Sequence, residues 1–224
     1  MVSEGDCIGG LVGENWSGKI RESFSSGTVT GYDYTGGLVG SNSDEITACY
    51  STCTVNGNSD VGGLVGGNTG PISYSFAVGA VNGNSKIGGL VGSNTGGTDI
   101  GCYWDTETSG QSTSACGTGQ STANMKKQET FIGWDFDDVW GINGSDNNGY
   151  PFLRWQSCTQ PRPPLPAAPQ NFTATPGDGQ VALSWTAPAE RRRQRDYQIS
   201  KCTKDDAMQT GRMWDRIHPI PLPA

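Results

Sequence analysis

The chain has 224 residues, of which 33% are hydrophobic, and a formal net charge of −7. This acidic balance argues against a nucleic-acid-binding role over most of the surface. The sequence contains no run of about 18 apolar residues, so we expect no membrane insertion. It also begins without a basic segment followed by an apolar one, and therefore predicts no signal peptide.

The pentapeptide Gly-Gly-Leu-Val-Gly occurs four times, starting at Gly9, Gly36, Gly62 and Gly88, at intervals of 27, 26 and 26 residues. A fixed period of this size is typical of stacked supersecondary units. The extra residue of the first interval lies at or next to Trp16. Because the repeated positions hold apolar residues, Gly and Asn rather than acids, bases or nucleophiles, the repeat predicts a protein that is not an enzyme.

Alignment of the four copies gives further matched columns. These are Ile8/Thr35/Val61/Ile87, Leu11/Leu38/Leu64/Leu90, Val12/Val39/Val65/Val91, Asn15/Asn42/Asn68/Asn94, Ile20/Ile46/Ile72/Ile100, Phe24/Tyr50/Phe76/Tyr103 and Val29/Val55/Val81. Each unit thus has three short β-prone runs between turn residues, and Gly at such density disfavours helix. We predict an all-β fold, a β-solenoid of about 26 residues per coil. Its coils stack in parallel about 4.8 Å apart, with the Leu, Val and aromatic columns in the core.

Two kinds of repeated residue have a predicted structural role. The Asn column predicts either an amide ladder from coil to coil or a row of turn formers in left-handed conformation. The glycines that flank Leu-Val predict tight bends or a close approach of two backbones, where a Cβ would clash. A flexible Gly-rich linker is disfavoured because linkers lack periodic apolar columns.

These units resemble the GLUG repeat of large bacterial surface proteins. The resemblance covers residues 1–110 and includes the Asn, Ile and aromatic positions that follow each pentapeptide. The family occurs in adhesin-like proteins and in the non-catalytic part of some immunoglobulin-A-cleaving metallopeptidases. The resemblance implies an extracellular solenoid spacer or adhesive module, and it supplies no catalytic residues.

The chain is predicted to have four parts, namely solenoid repeats (1–104), a loop and C-terminal cap (105–157), a Pro-rich linker (158–169) and a partial domain (170–224). Residues 2–8 align with residues 55–61, which predicts a start inside a repeat, as in a piece of a longer secreted protein. An intracellular protein is the alternative. The uncapped N-terminal coil predicts self-association through its strand edges.

The cap is rich in aromatic residues, which we expect to cover the end of the solenoid. Trp134, Trp140 and Trp155 are the candidate ligand-stacking residues, for a glycan, and burial in the cap is the alternative favoured on general grounds. The carboxylates of Asp135, Asp137 and Asp138 are better explained as turn residues than as a calcium site, because an EF-hand Gly and Glu are missing.

Seven cysteines occur at irregular spacing, which predicts no disulfide framework. Cys49 and Cys102 share a column but lie two coils apart, too far for a disulfide. Cys49 and Cys53 alone are weak evidence for a zinc site, so small core residues are the favoured interpretation.

The tail resembles the first two strands of a fibronectin type III domain. Val181, Leu183 and Trp185 alternate as in a half-buried strand, after a Pro-Gly-Asp-Gly turn, and the domain is then incomplete. An Arg-rich run at 190–197 follows. It is interpreted either as a basic patch or, by preference, as the product of a one-base frameshift, which would leave the last 30 or so residues poorly ordered.

No catalytic, cofactor-binding or metal-ligating residue is predicted. His218 is the single His, so neither a His-based triad nor an HExxH zinc site can be built. The first hypothesis is a structural or adhesive module of an extracellular or cell-surface bacterial protein, with a host or neighbouring-cell surface protein or glycan as partner. The alternative is an accessory region of a larger secreted enzyme such as an immunoglobulin-cleaving metallopeptidase. Carbohydrate processing on the solenoid is the weakest hypothesis.

Overall fold

The computed structural model describes residues 7–157 and the backbone of two later strands, Gln170–Gly177 and Gln180–Thr186. The first of two compact units, which ends at Gln156, is a β-solenoid of four coils, as the repeat predicted. Coils 1 to 4 span residues 8–30, 33–56, 59–82 and 85–105.

Each coil contributes one strand to each of up to five parallel sheets, and neighbouring strands of a sheet lie one coil apart in sequence. Sheet 1 contains Ile8–Gly9, Asp33–Gly36, Ser59–Gly62 and Ser85–Gly88, and sheet 2 contains Val12–Asn15, Val39–Asn42, Val65–Asn68 and Val91–Asn94. Sheet 3 contains Ile20–Arg21, Ile46–Thr47, Ile72–Ser73 and Asp99–Ile100. Sheet 4 contains Phe24–Ser25, Tyr50–Ser51, Phe76–Ala77, Tyr103–Asp105 and Thr118–Gln120, and sheet 5 contains Thr28–Thr30, Thr54–Asn56 and Val81–Asn82. The register pairs like with like, for example Val39 with Val65.

Two apolar clusters fill the interior of the coils. The larger contains the Leu and Val columns of the pentapeptides together with residues of sheets 3 and 4, including Ile46, Ile72 and Ala77. The smaller lies between sheets 5 and 1 and contains Val29, Cys53, Val55, Val61 and Val81. Stacking thus buries side chains that a single coil would leave exposed, which is how a chain with few hydrophobic residues obtains a core.

The repeated glycines allow sheets 1 and 2 to contact each other backbone to backbone. A Cβ on Gly66 would lie 2.5 Å from the carbonyl carbon of Tyr34, and one on Gly62 would collide with the carbonyl oxygen of Val65. No side chain fits at these distances, so the predicted close approach is confirmed.

The Asn column forms a continuous amide ladder inside the solenoid. The side-chain nitrogens of Asn15, Asn42 and Asn68 each donate to the side-chain oxygen of the Asn one coil further on, at 2.8, 2.8 and 3.1 Å. Asn94 ends the row by donating to the carbonyl of Gly97. Of the two interpretations of this column, the ladder is therefore confirmed.

Ile100 does not occupy the predicted apolar column. Asp99 pairs with Ile72, and Ile100 pairs with Ser73 and is 60% exposed. Strands of sheets 3 and 4 keep a spacing of four residues in every coil, so Tyr103 places Asp99, not Ile100, beside Ile72.

The aromatic column lies on the outside of the solenoid, not in its interior as predicted. In sheet 4, Ala77 belongs to the inner cluster while the adjacent Phe76 belongs to an outer one, because successive side chains of a strand point to opposite faces. Tyr50 stacks on Phe76 with ring centroids 5.0 Å apart, and on Phe24 at 5.2 Å.

Residues 121–156, the side cover, pack against this aromatic column and not over the end of the solenoid as predicted. The cover contains the helix Thr122–Met125, the 3-10 segments Gln128–Thr130, Asp146–Gly149 and Arg154–Gln156, and the antiparallel pair Trp140–Gly141 and Phe152–Leu153. It runs from Tyr103 in coil 4, against Phe131, back to coil 1, where Trp155 donates to the carbonyl of Glu22. An outward aromatic column needs such a cover because water would otherwise reach it.

Residues 110–118, the end loop, cover the C-terminal end of the core instead. The hydroxyl oxygen of Ser114 accepts from the backbone nitrogens of Leu90 and Val91, and Trp104 fills the core beside Gly89. The sequence predicted a loop in the first part of residues 105–157. The structure also has a helical turn there, Thr106–Ser109, and a fifth strand for sheet 4, Thr118–Gln120.

The second unit contains an antiparallel hairpin of Gln170–Gly177 with Gln180–Thr186. Val181, Leu183 and Trp185 lie on its second strand, where the alternation predicted a strand. The predicted linker (158–169) and the Arg-rich run (190–197) lie outside the described residues.

Candidate interaction surfaces

Two of the three predicted ligand-stacking residues lie inside the side cover. Trp140 is 1% exposed and Trp134 is 7% exposed, and their ring centroids are 4.4 Å apart. The indole nitrogen of Trp134 donates to the carbonyl of Gly101 at 2.8 Å. Both rings contact the outer aromatic column, so in this fold neither presents a face to a ligand.

Trp155 is the predicted stacking residue that remains at the surface, with 36% of its area exposed. Its ring lies 6.0 Å from that of Phe24, and its indole nitrogen donates to the carbonyl of Glu22 at 3.2 Å. These contacts fix the orientation of the ring beside coil 1. A fixed, half-exposed indole is suited to stacking against a sugar ring or another apolar group.

Sequence reasoning missed three other exposed aromatic residues, namely Trp16, Tyr32 and Tyr34, which are 76%, 42% and 39% exposed. The signal for Trp16 was available, because it occupies the insertion of the first interval and an inserted residue bulges outward. Its indole nitrogen donates to Glu14 at 2.6 Å. Tyr34 has a left-handed backbone, with φ of 44°, which its residue type does not suggest.

Two amide ladders run along the surface at the corner between sheets 5 and 1. Asn82 donates to Asn56 at 3.0 Å, and Asn84 donates to Asn58 at 2.9 Å. Asn58 follows the exposed Tyr32 in the same column, because its backbone nitrogen donates to the carbonyl of Tyr32. Asn58 also donates to Asp33 at 3.4 Å, and Asn82 and Asn84 are exposed, with hydrogen-bonding capacity beyond these bonds. Amides beside an exposed aromatic ring can bind hydroxyl-rich or peptide ligands.

Of the three candidate carboxylates in the side cover, Asp135 stabilises a turn. Asp135 accepts from the backbone nitrogens of Asp137 and Asp138 at 3.1 and 2.8 Å. Within the described residues, no group of three or more His, Cys, Asp or Glu is placed to hold a metal ion. This geometry accords with the turn interpretation.

Asp60 is a buried carboxylate at the contact of sheets 1 and 2. It is 4% exposed and pairs with Lys86 of the next coil at 3.3 Å. Burial raises its pKa, but hydrogen bonds from Ser93 and Ser59 and the charge of Lys86 outweigh burial, so the pKa lies below its usual value. The carboxylate therefore stays ionised and links neighbouring coils.

Asp105 is fully buried where coil 4 meets the side cover. One carboxylate oxygen accepts from the backbone nitrogens of Glu107 and Thr108, and the other accepts from the hydroxyls of Thr122 and Tyr150, each at 2.7 Å. Burial and the nearby Asp105 raise the pKa of Tyr150 to about 12. This network holds the side cover on the last coil.

Cys49 and Cys102 occupy one buried column with Ser75 between them, as the repeat predicted. The backbone nitrogen of Cys49 donates to the Ser75 hydroxyl, and the Cys102 thiol donates to the carbonyl of Ile72. Burial raises the pKa of both thiols to about 12. They are therefore inert core residues at neutral pH.

The comparisons with known proteins agree with this architecture. The chain matches the family model of the GLUG motif over residues 4–30. It is 38% identical over 150 residues to a protein described as "Putative Gly-rich membrane protein" from Evansella cellulosilytica. That match covers 65% of this chain and 12% of the relative's length. No solved structure matches.

Among the described residues, no helix is long and apolar enough to cross a membrane. The described chain is a β-solenoid of four coils with a side cover and an end loop, and the GLUG motif match falls on its first coil. Its exposed groups include the aromatic rings of Trp16, Tyr32 and Trp155, the amides of Asn82 and Asn84, and an ion-pair cluster of Lys19, Arg21 and Glu45.

Proposed function

We propose that this chain is a non-catalytic structural and adhesive repeat module of an extracellular or cell-surface bacterial protein. The observation that carries the proposal is the stacking of matched residues, above all the Leu, Val and Asn columns, through four coils that are joined by parallel sheets and by the buried Asn ladder. The GLUG match and the relative described as a membrane protein support it.

The structural part of this role rests on stiffness. Every coil adds about 4.8 Å of length, and neighbouring coils pair through at least four parallel sheets. The side cover reaches from coil 4 to coil 1 and so ties the coils together laterally. A stiff solenoid of this kind holds the segments attached to it at a fixed distance and orientation, which suits a spacer. The hairpin from Gln170 onward would begin a fibronectin-type spacer in the same protein.

The adhesive part rests on the exposed rings and amides. Trp155 beside coil 1, and Tyr32 beside the Asn58–Asn84 ladder, present aromatic area and hydrogen-bonding groups to solvent. A surface protein or glycan of a host or neighbouring cell offers complementary sugar rings, amides and hydroxyls. Aromatic residues commonly dominate the energetics of such contacts.

Two experiments test the surface location and the adhesive role separately. Antibodies raised against residues 7–157 should label intact producing bacteria, and labelling seen only after permeabilisation would overturn the surface location. The purified chain should bind on arrays of glycans and surface proteins, and Trp155→Ala should reduce that binding at least about tenfold. Ile132→Ala is the matched control, because Ile132 is apolar and 79% exposed on the same side cover. Absence of any array binding would restrict the role to a spacer.

A further inference from the structure

The pentapeptide Val-Asn-Gly-Asn-Ser occurs twice, at residues 55–59 and 81–85, each time where the chain passes from sheet 5 to sheet 1. Asn56 and Asn82 are therefore followed by glycine at the same position of neighbouring coils. An Asn-Gly pair is chemically labile, because a glycine without a Cβ lets its backbone nitrogen approach the side-chain carbonyl carbon of the preceding Asn. The two copies have one local sequence, so a difference in their reactivity must come from the fold.

The first copy is protected by its neighbours. Its strand, Thr54–Asn56, lies between the two other strands of sheet 5, and the N–H of Gly57 donates to the carbonyl of Asn82 at 2.9 Å. The nitrogen that would have to attack the Asn56 side chain is thus already engaged in a hydrogen bond to the next coil. Attack requires this bond to open, together with the strand pairing beside it.

The second copy lacks this protection. Coil 4 ends before it reaches sheet 5, which leaves Val81–Asn82 as the terminal strand of that sheet in the described part of the chain. The N–H of Gly83 has no hydrogen-bond partner among the residues that the structure describes, and Asn82 is exposed. The end loop bonds to this edge one residue earlier, where the Gln111 side chain donates to the carbonyl of Val81. The attacking nitrogen and the amide that it attacks are therefore both accessible.

We propose that Asn82 is a site of spontaneous deamidation, and that the fold protects the same sequence at Asn56. The backbone nitrogen of Gly83 attacks the side-chain carbonyl carbon of Asn82 and forms a C–N bond. That nitrogen loses its proton, and the side-chain nitrogen leaves as ammonia. Water then opens the resulting succinimide ring at one of its two carbonyls, which gives aspartate or isoaspartate. Water is the co-reactant, and no group is oxidised or reduced.

Deamidation changes the amide ladder at this corner of the solenoid. The Asn82 side chain donates to the side-chain oxygen of Asn56 at 3.0 Å, and a carboxylate has no proton to donate there. It places a negative charge against an oxygen that accepts hydrogen bonds, so the bond is lost. The reaction therefore converts one exposed amide of this surface into an anion without an enzyme. The chemistry depends on Asn82 and Gly83 alone, and it holds whether or not the chain is an adhesin.

The test compares the two copies within one molecule. The folded 224-residue chain is incubated at mildly alkaline pH, digested under acidic conditions and analysed by mass spectrometry for aspartate and isoaspartate at each copy. Thr54 and Ala80, which precede the two copies, distinguish their peptides. We expect Asn82 to lose its amide at least about tenfold faster than Asn56, because Asn56 reacts only after its part of the sheet has opened. Equal rates in the folded chain, or a faster reaction at Asn56, would overturn the proposal.

Two controls separate the effect of the fold from that of the sequence. In urea the two copies should react at equal rates, because the identical pentapeptides are then equally accessible. Unequal rates in urea would assign the difference to the flanking residues and would also overturn the proposal. As matched variants, Asn82→Gln should slow the formation of acidic species on ion-exchange chromatography, since glutamine must close a larger ring, whereas Asn56→Gln should leave that rate as in the parent. The reverse result would contradict the assignment to Asn82.

Discussion

The side-chain nitrogen of Asn42 donates a hydrogen bond of 2.8 Å to the side-chain oxygen of Asn68, one coil further along the solenoid. The nitrogen of Asn68 repeats this bond to Asn94 and also donates to the carbonyl of Gly70 at 2.8 Å. Asn42 and Asn68 are 1% and 3% exposed, so each amide depends on its neighbours for partners. The row therefore fixes which residue stacks on which, because a shifted register would leave buried amides without partners.

Substitution Asn42→Ala should destabilise the solenoid by about 2–3 kcal/mol, measured by urea unfolding. The substitution leaves the donor of Asn15 and the acceptor of Asn68 without their partner in a site that water does not reach. The matched control is Asn84→Ala, which removes an amide-to-amide bond of 2.9 Å at the surface. Solvent replaces that bond, so the control should change stability by no more than about 0.5 kcal/mol. Equal losses in the two variants would contradict the role of the buried ladder.

Substitution Gly62→Ala should reduce stability by about 3 kcal/mol or more, because the new methyl group has no space between sheets 1 and 2. Its nearest atoms are backbone atoms of Val65 and Gly92, which belong to paired strands and cannot move aside. Gly144→Ala is the control, since a Cβ there meets nothing within 4 Å. Thermal melting of the two variants measures the difference. A Gly62→Ala protein that melts like the parent would mean that the sheets lie further apart.

The sequence predicted the solenoid, its period and its register because stacking places identical residues on one another. The columns at Val39 and Val65, and the amide ladder, follow from that periodicity alone. Periodicity does not show which side chains of a strand face the interior of the solenoid. The aromatic column was predicted inside, but strand alternation places Ala77 inside and Phe76 outside. Ser25 and Ser51, the counterparts of Ala77, are the small residues by which the sequence marks the inner position of this strand.

The non-repeated segments could not be placed from the sequence. The side cover was predicted over the solenoid end, and the structure puts Trp140 against Tyr50 and Phe76 on the flank. No periodic pattern relates such a segment to the coil it touches. The left-handed residues inside the strands of sheet 1 are equally hidden, since Tyr34, Asp60 and Lys86 share that conformation without sharing chemistry. They adopt it because the residues on either side of each are paired in register with the neighbouring coils.

Substitution Trp140→Ala should detach or loosen the side cover and reduce stability by about 3–5 kcal/mol. Trp140 is 1% exposed and touches Tyr50, Phe76 and Trp134 at once, so its removal leaves a cavity at the centre of the outer cluster. Near-ultraviolet circular dichroism and limited proteolysis within residues 121–156 report the change. Trp16→Ala, which removes an indole that is 76% exposed, should leave both readouts as in the parent. Cleavage of the two variants at the same rate would contradict a packed cover.

Alkaline unfolding should report the buried tyrosines. Burial, together with Asp105, raises the pKa of Tyr150 to about 12, and burial raises that of Tyr50 to about 12. An exposed tyrosine has a pKa of about 10, so between about pH 10 and 12 the folded state holds protons that the unfolded state has lost. The contribution of these two tyrosines to the free energy of unfolding is therefore constant below about pH 10 and falls as the pH rises towards about 12.

Substitution Tyr150→Phe should make that fall shallower, since one of the two buried tyrosines that contribute to it beside the buried thiols is gone. It should also lower stability at neutral pH by about 1–3 kcal/mol through the lost hydrogen bond to Asp105. Urea unfolding at several pH values separates the two effects, because the first changes the slope against pH and the second changes the level. Adding Tyr50→Phe should flatten the profile further, as the second raised pKa disappears. A Tyr150→Phe profile that runs parallel to that of the parent between about pH 10 and 12 would show that Tyr150 titrates in the folded protein as it does in water.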